Sequence, residues 1–164
     1  GEADQIDHYH AKAVAWGVKT RFHFIGKRPL AALSGYLAQA DILVSLRVEG
    51  SNTPMKIYSY LAAGKPILAT EVDSHCQVLD SSCAVLVQPN PASIAKGLLE
   101  LDNHADLRKR LGANGKRRVE TRYSREQYDA KLLQFFAGIL QRISIENRNG
   151  ASRRQKSMRR LFRS

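Results

Sequence analysis

Short apolar runs alternate with longer amphipathic stretches through most of the chain. Three runs, at 41–46, 66–70 and 84–88, predict strands, and the run at 41–46 is typical of a strand buried on both faces. Residues 21–26, RFHFIG, alternate apolar and polar side chains and predict a fourth strand. Apolar residues at helical spacing predict helices over 4–16, 29–40, 54–63, 91–101, 105–122 and 124–140. Strands that alternate with helices predict an α/β fold with a Rossmann-like parallel sheet.

The loop after the run at 41–46 is the first candidate for a binding site. Parallel sheets of this kind bind ligands in the crevice beyond the carboxyl ends of their strands. Gly50 permits a tight or left-handed turn, Thr53 is a predicted N-cap, and Pro54 is a predicted first helical residue. The free N–H groups of this helix start, together with the backbone of 50–52, would form a cup for a phosphate or diphosphate.

Lys56 is the charged residue at the start of this predicted helix. It falls at the third helical position, where the helix dipole disfavours a cation, and a bound anion would offset that penalty. Lys56 and Ser59 lie on one helical face, while Ile57 and Leu61 lie on the predicted core face. The segment also fits an ordinary turn with an N-cap and a solvated lysine, so the residues alone leave both interpretations open.

Composition indicates a globular protein with a basic C-terminus. The 164 residues are 43% hydrophobic and 25% charged, and the net charge is +11. Residues 142–164 carry eight Lys or Arg and one acid, so that seven of the eleven positive charges belong to this segment. The pattern predicts a domain over 1–141 and a basic tail over 142–164, disordered from 147. Because the chain lacks an initiating methionine and a signal peptide, we expect a piece of a longer, cytoplasmic protein.

Several other classes of site find little support. Cys76 and Cys83 belong to no CxxC pattern and are expected to be reduced thiols. His8 and His10 are two apart on a helix and do not face together, so no metal site is expected. His75 follows the strand at 66–70 near the same crevice, where it is either a loop or helix-cap histidine or a residue near a bound sugar. No HExxH, GxSxG or P-loop pattern is present.

Five segments together resemble the C-terminal half of GT-B-fold glycosyltransferases of the retaining, nucleotide-sugar-dependent family 4 type. They are RFHFIGKRP, YLAQADILVSLR, NTPMKIYSYLAAGKPILAT, VLDSSCAVLVQPNPASIAKGLLEL and LRKRLGANGKRRVETRYS. The order and spacing of the five agree with the family. The resemblance implies a UDP- or GDP-sugar as donor, no cofactor, and an N-terminal acceptor domain that this chain lacks.

The resemblance also implies a role for individual residues. The backbone around Gly50, Ser51, Asn52 and Thr53 would receive the donor diphosphate, with Lys56 beside it.

Other positions would meet the nucleoside or the reacting sugar. Lys27 and Arg28 would meet the base. Ser59 stands where the family usually has a ribose-binding glutamate, and Glu49 would be the catalytic glutamate. A serine hydroxyl binds a ribose hydroxyl more weakly than a carboxylate does, so a weaker ribose contact is expected here.

The function expected from the sequence is therefore that of a glycosyltransferase fragment. It would bind a nucleotide sugar for transfer to an unidentified acceptor, and alone it would be inactive because nothing positions the acceptor. The alternative is a non-catalytic basic module whose tail contacts an anionic membrane, with nucleic acid the less favoured partner. The tail cations are Arg153, Arg154, Lys156, Arg159, Arg160 and Arg163. A cytoplasmic protein, peripheral at the membrane, would fit these features.

Overall fold

The sheet consists of three parallel strands that follow the predicted apolar runs. A computed structural model of the protein describes residues 3–161, with side chains from 5 to 145. Strand β1 spans Leu43–Ser45, β2 spans Ile67–Thr70 and β3 spans Ala84–Val87, in the order β1–β2–β3. Leu43 is paired with Ile67, which is paired in turn with Ala84. The predicted α/β class with a Rossmann-like parallel sheet is confirmed.

Helices occupy most of the remaining described chain. Helix α1 spans Ala3–Ala15, α2 Leu33–Gln39, α3 Lys56–Ala62, α4 Asp73–Cys76, α5 Pro91–Asn103, α6 Ala105–Arg122 and α7 Arg125–Leu161. Two short 3₁₀-helices span Lys19–Arg21 and Leu30–Ala32. Asn90 caps α5, because its side chain accepts a hydrogen bond from the Ser93 N–H at 2.9 Å. No helix in the described range combines the length and apolarity needed to cross a bilayer.

The core forms around the central strand. All four residues of β2 are buried, since strands flank it on both edges and helices cover its faces. Leu68 of β2 packs with Leu101 of α5 and Leu111 of α6. Gly97 lets α5 lie close to the sheet, because a Cβ atom there would be 2.6 Å from Leu68 Cδ1. This packing holds the carboxyl ends of the strands in place.

The described chain divides into two compact units, one ending at Lys116 and one beginning at Arg117. The sheet belongs to the first unit. In the second, α7 exposes a set of large apolar side chains: Tyr128, Leu132, Leu133, Phe135, Phe136, Ile139, Leu140, Ile143 and Ile145. The division of the chain at 141/142 by charge remains a prediction.

Residues 21–26 do not form the strand that their alternation predicts. The segment 22–29 has no regular secondary structure, and Phe22, Phe24 and Ile25 are exposed. A strand forms by hydrogen bonding to a neighbouring strand, and within the described residues β1 pairs with β2 and has no strand at its other edge. An alternating pattern without a neighbouring strand therefore leaves an extended loop.

The start of α3 and the C-terminus also differ from prediction. Helix α3 begins at Lys56 after Met55, not at Pro54, and Thr53 is not its N-cap. The Thr53 hydroxyl donates instead to the Gln77 side chain, and Lys56 is the first helical residue. At the C-terminus, α7 continues through 147–161, where disorder was predicted, in line with the good helix propensity of Arg and Lys. Residues 162–164 lie outside the described range.

Candidate functional site

The carboxyl ends of β1 and β2 are joined by a reciprocal pair of hydrogen bonds. The Arg47 N–H donates to Thr70 Oγ1 at 3.0 Å, and the Thr70 hydroxyl donates to the Arg47 carbonyl at 2.6 Å. Thr70 is buried at the last position of β2. This exchange fixes the backbone of Arg47 at the edge of the sheet where a ligand of a parallel α/β fold would lie.

His75 lies beneath this junction and is fully buried. Its Nδ1–H donates to the Thr70 carbonyl at 2.8 Å, and its Nε2 accepts from the Ser45 hydroxyl at 2.9 Å, an assignment that requires the neutral ring. Burial lowers the pKa of His75, and the nearby charges of Lys56 and Arg47 lower it further, against an opposing effect of the bond to Thr70. Both ring nitrogens are occupied by the protein, so His75 acts as a structural link between strand ends.

Arg47 and Lys56 form a pair of neighbouring cations above that link. Although Lys56 is an exposed residue overall, partial burial of its ammonium lowers its pKa, and the charge of Arg47 lowers it further. Among the described residues, neither side chain forms an ion pair with an acid. Two adjacent cations without a counterion favour a bound anion, which would relieve their repulsion. Lys56 was predicted from the sequence, whereas Arg47 was missed, and its signal was its place two residues after a buried strand.

The loop between these two cations is held from both sides. Arg47 Nη1 donates to the Asn52 carbonyl at 2.9 Å, and Gln77 Nε2 donates to the Ser51 carbonyl at 2.8 Å. The Thr53 hydroxyl completes the set by donating to Gln77 Oε1 at 2.8 Å. Gln77 was also missed from the sequence, because it is 24 residues from Thr53 and carries no motif of its own.

Gly50 gives the loop its shape. Its φ of 132° lies in the region that favours glycine, and a Cβ atom there would be 3.0 Å from Arg47 Nη1. The same Cβ would lie 3.7 Å from Ser74 Oγ, a buried hydroxyl that has no hydrogen-bond partner in the described part of the chain. A buried hydroxyl without a partner is uncommon in folded proteins and often marks a functional site.

An apolar cavity opens beside α3, one turn from Lys56. Its volume is about 410 Å³, and its lining comprises Leu30, Leu33, Ser34, Leu37, Ala38, Ser59, Ala62 and Ala63. Ser59 and Ser34 are the polar side chains among these lining residues. Lys56 and Ser59 therefore face neighbouring regions, one cationic and one mainly apolar.

The remaining predicted residues lie close to these features. Lys27 and Arg28 are exposed in the segment 22–29, shortly before Leu30 of the cavity lining. Glu49 is exposed in the loop, next to Gly50. The described residues contain no group of three or more metal-ligating side chains suited to hold a metal. Ligand contacts of Lys27, Arg28, Glu49 and Ser59 remain predictions.

Comparison with known proteins extends this picture. The model of the family "Glycosyl transferases group 1" matches residues 1–104. Comparison with curated proteins by sequence gave no match. Among solved structures, sucrose-phosphate synthase from Thermosynechococcus elongatus is similar, with a TM-score of 0.74 at 18% identity over 85% of this chain. HepE from Anabaena in complex with UDP has a TM-score of 0.76 at 16% identity over 84% of the chain.

The matched region is a part of longer proteins. The similarity covers 35% of the sucrose-phosphate synthase chain and 38% of the HepE chain. A structure of the C-terminal domain of the group 1 protein LpcC from Francisella tularensis is similar with a TM-score of 0.66 at 21% identity, over 76% of this chain and 65% of that one. At these identities the structural likeness establishes the fold, and the family match covers more than half of the chain.

Proposed function

The chain belongs to the family of group 1 glycosyl transferases, and we propose that it binds a nucleotide diphosphate sugar as the C-terminal half of a GT-B enzyme. The pair of Arg47 and Lys56 at the carboxyl edge of the sheet carries this proposal. The pair is partly removed from water and has no acidic partner in the described chain, so it suits the diphosphate of a donor.

The pair would act on the leaving group of the transfer reaction. As the bond between sugar and diphosphate breaks, negative charge increases on the diphosphate, and fixed positive groups stabilise that charge. Thr70 fixes the backbone of Arg47 and the Asn52 carbonyl holds its guanidinium, so little reorganisation is required when the charge develops. The further assignment to the family 4 type, with retention at the sugar carbon and a role for Glu49, is part of this proposal.

The nucleoside would extend from the cations along α3 into the apolar cavity. Ser59 would then meet the ribose, with Lys27 and Arg28 toward the base. UDP and GDP are both candidate leaving groups. The similar HepE structure is a complex with UDP, which makes UDP the first probe.

Binding of UDP and GDP to the chain, measured by isothermal titration calorimetry, tests the proposal. Lys56→Met keeps a long side chain and removes the charge, and we expect it to weaken binding at least about 10-fold. Lys96→Met, at an exposed position of α5, is the charge-matched control and should bind as the wild type does. Equal affinities of the two variants, or no binding of either nucleotide to the wild type, would refute the proposal.

The acceptor is expected to be bound elsewhere. The chain spans a little over a third of the sucrose-phosphate synthase and HepE chains, and we propose that an N-terminal domain supplies the acceptor site. The chain alone would then bind nucleotide without transferring sugar. Sugar transfer by the purified chain to any small acceptor would contradict this part of the proposal.

A peripheral location at an anionic membrane is the second candidate property. Helix α7 exposes Phe135 at 62% and Phe136 at 52%, and basic residues follow them in sequence. Sedimentation with phosphatidylcholine vesicles, with and without phosphatidylglycerol, tests the idea. Binding that requires the anionic lipid and residues 148–164 supports it, whereas salt-sensitive binding to DNA alone would favour the nucleic-acid alternative.

A further inference from the structure

We propose that Gln77 is a positioning residue of the donor site, which orients the backbone N–H of Asn52 toward the bound diphosphate. This inference rests on the proposed function. Gln77 contacts the loop through both ends of its amide: its NH₂ donates to the Ser51 carbonyl and its oxygen accepts from the Thr53 hydroxyl, each at 2.8 Å.

Holding a carbonyl determines the direction of the next N–H. In a planar trans peptide the C=O of one residue and the N–H of the next point in opposite directions. The bond from Gln77 to the Ser51 carbonyl therefore turns the Asn52 N–H away from Gln77. The bond from Arg47 Nη1 to the Asn52 carbonyl holds the other peptide group of the same residue.

This N–H group is available to a ligand. Within the described residues, the Asn52 N–H has no hydrogen-bond partner in the protein. A free backbone N–H in a loop provides partial positive charge for an anion. Gln77 would thus add a donor to the cationic pair without touching the ligand itself.

The chemistry of the amide explains why glutamine suits this position. The Ser51 carbonyl needs a donor and the Thr53 hydroxyl needs an acceptor, and a carboxamide supplies one of each. Methionine at 77 would have similar length and neither group. A glutamate would retain the contact with Thr53 but would face the Ser51 carbonyl with a second acceptor.

The test compares UDP and GDP binding across four forms of the chain. We expect Gln77→Met to weaken UDP binding about 3- to 10-fold, in keeping with the loss of one or two hydrogen bonds. The matched control is Gln88→Met, at the end of β3, which removes an exposed hydrogen bond from the Gln88 amide to Glu71 and should not change the affinity. Lys56→Met reports separately on the donor site.

A spectroscopic measurement separates positioning from general stability. In ¹H–¹⁵N spectra, UDP should shift the Asn52 amide signal of the wild type and should shift it less in Gln77→Met. Amide signals of β2 should be the same in both proteins.

The outcomes distinguish the two proposals. If Lys56→Met weakens binding and Gln77→Met does not, the role of Gln77 is refuted while the donor site stands. If the wild type binds neither nucleotide, the donor site is refuted and the positioning role fails with it. Unfolding of Gln77→Met at a much lower temperature, with an unchanged UDP-induced shift at Asn52, would show a structural role only and would also refute positioning.

Discussion

Replacement of Gly112 by alanine should destabilise the protein through a backbone clash. Gly112 lies in α6 against Gly64, which follows the end of α3 and has a positive φ of 66°. An added Cβ would overlap the Gly64 carbonyl oxygen and lie 2.9 Å from its carbonyl carbon. Because the atoms of Gly64 belong to the backbone, no change of rotamer relieves the contact, and a helix must shift.

The magnitude follows from two opposing effects. Overpacking of a well-packed interface costs about 1–3 kcal/mol, and a backbone contact belongs at the upper end of that range. Alanine gains up to about 1 kcal/mol over glycine in a helix interior. We expect a net loss of about 1–2 kcal/mol in the free energy of unfolding, and a fall in Tm of about 2–8 °C for a chain of this size.

The assay is urea unfolding followed by circular dichroism, with Gly35→Ala as the matched control. Gly35 also lies in a helix, α2, and a Cβ atom there would have no neighbour within 4 Å. Gly35→Ala should therefore be as stable as the wild type or slightly more stable. If Gly112→Ala and Gly35→Ala have the same midpoint and slope, the inferred contact between α6 and Gly64 is wrong.

Three further perturbations test the site and its support. Stability should fall as the pH drops below about 6.5, because the lowered pKa of His75 lets the unfolded chain take up a proton before the folded one. The Tm of His75→Gln should not show this decline, and the same fall of Tm with pH in both proteins would contradict the prediction. Asn90→Ala should lose about 1 kcal/mol in chemical denaturation, since the Ser93 N–H loses its cap, whereas a loss below about 0.3 kcal/mol would contradict the capping role. Gly50→Ala should weaken UDP binding in calorimetry, because alanine is strained at a φ of 132° and crowds Arg47, and wild-type affinity would argue against this loop as the donor site.

Much of the fold could be predicted from the chain because its signals are local. The apolar runs that became β1, β2 and β3 are short and bounded by turn residues, which predicts strands, although β2 is buried at every position and β3 only at Ala84. Helix α6 was predicted with the bounds observed, 105–122, since helical periodicity over many residues is a strong pattern. Gly64, predicted to end α3, has the positive φ that this role requires.

The site depended on contacts between residues far apart in sequence. The sequence identified Lys56 as a candidate. Only the packing of β1 beside β2 brings Arg47 to Thr70, 23 residues away, and so next to that lysine. Thr53 has the chemistry of an N-cap, yet its hydroxyl is taken by Gln77.

Local patterns therefore determined which segments form helices and strands in this protein. Where they failed, as at the site, contacts between distant residues decided the structure. The alternation of RFHFIG predicted a strand that has no neighbour to pair with in the described chain, so 22–29 remains a loop. A hydrogen bond or an ion cluster requires two groups within about 3–4 Å, and a periodic pattern does not specify which distant groups will meet. Tertiary structure made that choice at the carboxyl edge of the sheet, where it joined the two strand ends, placed the two cations side by side and oriented the loop between them.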